Sequence, residues 1–99
     1  MGVLIAYDIA DPRRWRRVYK RVQADAARLQ YSLFYGELNS RELDLLAVDV
    51  ARMIDPSYDD VRLYVLPDDA WIRLRGKPIV PDGVHIGTLS RLLARNDVS

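Results

Sequence analysis

The chain has no cysteine, a single histidine and a single phenylalanine among its 99 residues. Without thiols it has no disulfides and no thiolate metal sites, which fits a reducing compartment such as the cytoplasm. No charged-then-apolar leader is visible, and no apolar run approaches the roughly 18 residues that cross a bilayer. The expectation is therefore neither a secreted protein nor a membrane protein. A Gly-rich phosphate loop, a Ser-His-Asp arrangement, an HExxH motif and zinc-ligand spacing are all missing. His85 has no acidic or histidine neighbour and reads as a surface residue rather than a ligand or base. Lysine is scarce too, with two against thirteen arginines. The length allows one small domain, which buries a limited share of its surface and gains from pairing with a copy of itself.

What is present is organised around residues 3–14. Residues 3–7 (Val-Leu-Ile-Ala-Tyr) form an apolar run with β-branched and aromatic members, bounded by Gly2 and Asp8, and predict a buried strand. Asp11 then stands at a helix N-cap, with Pro12 at the first helical position. Asp8 sits where a strand ends and a helix is about to begin, a place where functional groups collect. It could equally cap the following turn.

Net charge is only +1, yet its distribution is uneven. Residues 11–28 hold seven basic side chains (Arg13, Arg14, Arg16, Arg17, Lys20, Arg21, Arg28) against Asp11 and Asp25. At helical spacing, Trp15, Val18, Tyr19, Val22, Ala26 and Leu29 share a stripe that faces a sheet, and the cations lie opposite. Charge runs are commonly plain solvated surface. Here arginine predominates, and its planar fork matches phosphate oxygens. Cations at 13, 14, 16 and 17 also crowd a helix N-terminus, where the macrodipole disfavours them. The pattern favours nucleic acid or another polyphosphate over solvation alone.

Residues 30–38 read as a second strand, with Tyr31, Leu33 and Tyr35 on one face and Gln30, Ser32, Phe34 and Gly36 on the other. The second row looks more like a working surface than a core, and Gly36 marks a bend or bulge. Asn39 and Glu42 have capping-box spacing, and Leu43, Leu46, Ala47, Val50, Met53 and Ile54 stripe a second helix. Residues 61–66 predict a third strand. A turn at Pro67-Asp68-Asp69 precedes another strand over 71–75. Beyond Gly76, segments 79–80 and 84–86 suit strands and 88–95 a short helix, with no core of their own. Asp59-Asp60 and Asp68-Asp69 fall in turns, where capping and solvation are the expected roles.

This order predicts an α+β, ferredoxin-like sandwich, an antiparallel sheet with two helices on one face. Residues 1–76 form the domain, and residues 77–99 form a C-terminal extension that docks on a partner protomer. The plain pattern wants two strands between its helices, so residues 30–38 must be a sharply bent strand or a very tight pair around 34–36.

The chain resembles the small CRISPR-associated adaptation proteins, the second Cas protein or "Cas-two" family. The likeness runs from residue 3 to about residue 75. It rests on the strand ending Tyr7-Asp8-Ile9, the basic helix, the run Gln30-x-Ser32-x-Phe34-x-Gly36, and the late strand over 60–66. The resemblance implies a homodimer working with the CRISPR integrase, the first Cas protein, to capture spacer DNA. Some members are also metal-dependent endonucleases on RNA or DNA. It implies that Asp8 is the metal-associated aspartate, with Tyr7 beside it, Arg17, Arg28 and Ser32 as catalytic partners, and Phe34 near them. Trp15 stands where some members have another arginine, and Asp25 or Ala26 replaces a late-helix glycine. These departures touch nuclease efficiency more than fold.

One carboxylate is a thin site for Mg²⁺ or Mn²⁺, so a dimer must bring two copies of Asp8 together. Arg17 and Arg28 would clamp the phosphodiester, Ser32 would orient water or a phosphate oxygen, and Phe34 would stack on a base or pack at the interface. Tyr7, Arg13, Arg14, Arg16, Arg17 and Arg21 would contact duplex DNA or single-stranded RNA. Three readings stand: a metal-dependent phosphodiesterase, a non-catalytic DNA bridge in the integration complex, and a generic module for a small anion. The motifs disfavour the third.

Overall fold

The computed structural model describes residues 1–71. Its elements are β1 (Gly2–Asp8), α1 (Pro12–Gln23), β2 (Ala27–Gln30), β3 (Leu33–Glu37), α2 (Ser40–Met53) and β4 (Asp60–Val65). The strands form one sheet in the order β2-β3-β1-β4, and every neighbouring pair is antiparallel. That is the α+β, ferredoxin-like order expected.

β1 lies inside the sheet because it is apolar on both faces. Val3, Ile5 and Tyr7 pack with Phe34 and Leu38 against Val18 and Val22 of α1 and Leu46 and Val50 of α2. Leu4 points the other way and joins Leu29, Leu33, Tyr35 and Leu66 in a second cluster. Asp11 starts α1, its carboxylate accepting from the backbone N–H groups of Arg13 (3.1 Å) and Arg14 (3.0 Å). Asn39 and Glu42 close a reciprocal capping box at α2, at 2.8 and 2.9 Å. A cap of this kind stabilises by about 1 kcal/mol.

Two expectations need correction. The helical stripe does not reach Leu29, because α1 ends at Gln23. Asp25 and Ala26 both donate to the Val22 carbonyl, and the chain turns directly into β2. Sheet pairing of residues 27–30 with β3 prevails over a helical spacing that the sequence also offered. The segment between the helices is then a tight pair of strands, turning at Tyr31-Ser32 rather than around 34–36. Gly36 permits a close approach: a Cβ there would lie 2.8 Å from the Asp25 carbonyl oxygen. The register irregularity falls instead between Arg28 and Gln30. The boundary at residue 76 and the elements expected over 79–95 lie outside the described residues. Of the strand expected over 71–75, only Trp71 is described, and it lies outside β4.

The start of α1 is tied to β4 by Asp59, whose side chain is wholly buried. Its carboxylate accepts from Arg14 Nε (2.7 Å) and Nη2 (3.2 Å), from Ala10 N (3.0 Å) and from Asp55 N (2.8 Å). The Arg14 hydrogen bond leads these contributions. Together with the two backbone donors it outweighs burial and holds the carboxyl well below the usual carboxylate range. The unfolded chain takes up this proton near pH 4 and the folded chain only at lower pH. The stabilisation is therefore complete above about pH 4 and drains away below it. Asp59→Asn should lower the denaturant midpoint at pH 7 and flatten its fall between about pH 4 and pH 2, as followed by circular dichroism. Parallel acid profiles for variant and wild type would remove Asp59 from this role.

Candidate functional site

Asp8 closes β1 and is exposed. By strand alternation it shares the face of Leu4 and Ala6, away from the helices. It does not cap the turn that follows. Asp59 holds Ala10 N and Asp11 holds the first N–H groups of α1. The Asp8 carboxylate has no hydrogen-bond or ion-pair partner among the described residues. Its register partner across the sheet is Asp60 of β4, which pairs with Arg62 at 2.9 Å. Like charges directly opposite on neighbouring strands repel, and Arg62 relieves only one of the two.

Ser32 comes close through the backbone. Its carbonyl accepts from Tyr7 N at 3.1 Å, which carries the β2–β3 turn to the end of β1. Asp8 and Ser32 thus line one open cleft of about 470 Å³, together with Tyr7, Trp15, Arg16 and Tyr31. Of the basic helix, Arg16 reaches this cleft, whereas Arg17 is not part of its lining.

The seven cations divide into distinct groups. Arg14 is held by Asp59, and Arg21 by Asp25 and Asp49, each at 2.8 Å. Arg13, Arg16, Arg17 and Lys20 are exposed and have no ion pair among the described residues. Arg28 does neither. Its guanidinium lies 5.6 Å from the ring centre of Tyr19 and 5.1 Å from that of Tyr31, with Nε donating to Gln30 O at 3.3 Å. The outward ridge is therefore shorter than the sequence pattern suggested.

The aromatic residues also sort differently from expectation. Phe34 is fully buried and stacks on Tyr7 with ring centres 5.7 Å apart, so it offers no face to a base. The row containing Phe34 and Gly36 is core, because it faces the helices. Tyr31, expected on a strand face with Leu33 and Tyr35, lies instead in the turn between β2 and β3. Tyr31 is 67% exposed, and Trp15 stacks on it from the half-buried side. The signal available was Tyr31 beside Ser32, a pair that suits a turn as well as a strand.

Tyr7 is buried, and its hydroxyl finds no hydrogen-bond partner among the described residues. Burial pushes its phenol up to about 12, against a lowering influence from Arg28. Among the described residues no group of three or more acidic, histidine or cysteine side chains could enclose a metal ion. Asp8 remains the one unpaired carboxylate in the cleft lining.

The profile of the family described as "CRISPR associated protein Cas2" matches residues 1–73. The chain belongs to the Cas2 family. It is 37% identical over 84 residues to "CRISPR-associated endoribonuclease Cas2 2" of Thermodesulfovibrio yellowstonii, covering 84% of this chain and 92% of that protein. It is 38% identical over 82 residues to "CRISPR-associated endoribonuclease Cas2 1" of Nitrosomonas europaea, covering 83% and 78%. Among solved structures, Streptococcus pyogenes Cas2 superposes with a TM-score of 0.65 at 28% identity, covering 70% of this chain and 89% of that one. No described helix is long and apolar enough to cross a membrane.

The unpartnered Tyr7 hydroxyl gives this Cas2 chain a measurable alkaline limit. The unfolded phenol ionises near pH 10, whereas the folded one keeps its proton to about 12. Stability is thus lost as pH rises through that interval. Tyr7→Phe should leave stability at pH 7 unchanged or raise it by up to about 1 kcal/mol, since no hydrogen bond is removed. The variant should also lose less than wild type between about pH 10 and 12 in denaturant titrations. A loss at pH 7 comparable to a core truncation would show that the hydroxyl has a partner.

Proposed function

We propose that this chain acts as a homodimeric, metal-dependent phosphodiesterase on nucleic acid and works with the CRISPR integrase in taking up new spacer DNA. The observation that carries the reading is Asp8, exposed and unpaired at a strand end whose capping is already done by Asp11 and Asp59. The relatives named endoribonucleases support the reaction class.

A dimer is supported by the apolar sheet face that lies opposite the two described helices. Leu4, Leu29, Leu33, Tyr35 and Leu66 cluster there, and apolar residues on both faces of a sheet call for cover on both. Asp8 shares that face, so a two-fold axis through it draws two copies of Asp8 toward each other. The donors fit Mg²⁺ or Mn²⁺, which take one or two carboxylates with water and substrate phosphate. Bound between the two Asp8 side chains, the ion would activate a water and neutralise charge developing on the phosphate.

The remaining roles belong to the chain's own side chains. Arg16 receives a phosphate in the cleft, and Arg13, Arg17 and Lys20 extend the contact along the outside of α1. The Ser32 hydroxyl, in the cleft that Asp8 also lines, orients a water or a phosphate oxygen.

Asp8→Asn keeps size and shape but removes the charge. It should abolish divalent-dependent cleavage of oligonucleotides while leaving the fold and the dimer intact by circular dichroism and light scattering. Equal cleavage by variant and wild type would overturn the metal role. Absence of cleavage in both, with duplex binding retained, would favour the non-catalytic bridge.

The ridge is tested separately. Replacing both Arg13 and Arg16 by Gln should weaken every duplex alike and lower the slope of log affinity against log salt by about 0.9 per lost phosphate contact. Stability should change little, because both side chains are exposed and neither is ion-paired among the described residues. An unchanged slope would make the ridge a solvated surface.

A further inference from the structure

The outward face of α2 is apolar at its middle. Val48 lies about 200° around the helix from both Leu46 and Val50, the buried residues of α2, so it points away from the core. It is 48% exposed, and Leu45, one turn earlier, is 51% exposed. Ala51, one turn later, is exposed as well. A β-branched valine on a solvated helix surface costs helix propensity and gains nothing from packing. A helix that only covered a sheet would carry polar side chains at these places.

Charged residues close both ends of the patch. Arg41 and Asp44 precede it and Arg52 follows it, all exposed and none ion-paired among the described residues. Their order is self-complementary. Asp44 and Arg52 each stand four positions from Val48, and Leu45 and Ala51 each stand three. Two copies of α2 laid antiparallel about a two-fold axis at Val48 therefore bring Asp44 level with Arg52 of the other copy, about 6 Å from the axis. Leu45 comes level with Ala51, a large side chain against a small one, as close helix packing requires. A parallel arrangement would set Arg41 beside Arg41 and Arg52 beside Arg52, which repel.

We propose that this face of α2 is a contact between copies of the chain, antiparallel and two-fold, centred on Val48. It is separate from the dimer proposed above, which uses the sheet face opposite the helices. A sheet dimer carries two such α2 faces on its outside, so the contact joins dimers to one another. The patch is small and the contact weak, with a dissociation constant on the order of 100 μM.

Sedimentation of the full chain over a range of concentrations tests this. Val48→Lys keeps a good helix former but places two ammonium groups at the axis. Wild type at high concentration should reach at least twice the mass of that variant. Asp44→Arg opposes two arginines at each end of the contact, and Arg52→Asp opposes two aspartates. Either should weaken the association by roughly ten-fold or more. The double variant carrying Asp44→Arg and Arg52→Asp rebuilds both pairs with their signs exchanged and should recover the wild-type association. Circular dichroism checks that each variant is folded, which is expected because all three positions are exposed.

Equal masses for wild type and Val48→Lys up to roughly 1 mM would overturn the contact. If Val48→Lys then also lowered the melting temperature, the face would be covered by residues 72–99 of the same chain instead. Failure of the double variant to recover association would overturn the antiparallel pairing. The sheet dimer is read separately, from the mass of Val48→Lys itself. That mass is a dimer's if the sheet interface holds and a monomer's if it fails.

Discussion

Much of this molecule hangs on one buried carboxylate. Asp59 gathers donors from the turn after β1, from the first turn of α1 and from the loop after α2. A carboxylate with no exposure is costly unless its lone pairs are filled, and here four hydrogen bonds fill them. Two consequences follow for the site. The strand-to-helix turn is fixed without help from Asp8, whose carboxylate stays available. Arg14, a cation at the unfavourable end of a helix, is matched by a charge 45 residues further along the chain. Arg13, Arg16 and Arg17 have no such match among the described residues, and this is what supports the proposal that they meet an external polyanion.

The sequence was legible wherever the deciding physics was local. The run at residues 3–7, the Asp11-Pro12 start and the Asn39–Glu42 box all depend on residues within a few positions of one another. Each was found where the pattern put it. The end of α1 was not legible, because Ala26 and Leu29 continue a helical stripe while Ala27 and Leu29 also alternate as a strand. What decided was the pairing of residues 27–30 with β3, and Gly36, ten residues beyond Ala26, leaves room for the Asp25 carbonyl at the turn into that pairing.

The cations show the same division more sharply. Arg13 and Arg14 are chemically identical neighbours at one helix start. Only an aspartate 45 residues away makes Arg14 structural, while Arg13 faces water. Among the aromatic residues, Phe34 and Tyr31 sit three apart around a turn that was expected further along the chain. Moving that turn to Tyr31-Ser32 sends Phe34 into the core and Tyr31 out to the cleft. Family resemblance names Asp8 and Ser32 as candidates, but not which rings stay exposed, since that depends on where this hairpin folds.

The register of β1 joins the core to the candidate site. Five residue pairs tie it to β3 and six to β4, with Ile5 opposite both Phe34 and Leu63. Strand periodicity of two places Tyr7 on the helix face and Asp8 on the other. A slip by one residue on either side would turn the Asp8 charge toward the helices and Tyr7 toward the opposite face. Neither change is tolerable, since an unpaired carboxylate would be desolvated and the stack of Tyr7 on Phe34 lost. The apolar run that makes β1 a central strand therefore also presents the free carboxylate on the sheet face away from the described helices. The chemistry of the site and the packing of the core are consequences of one register.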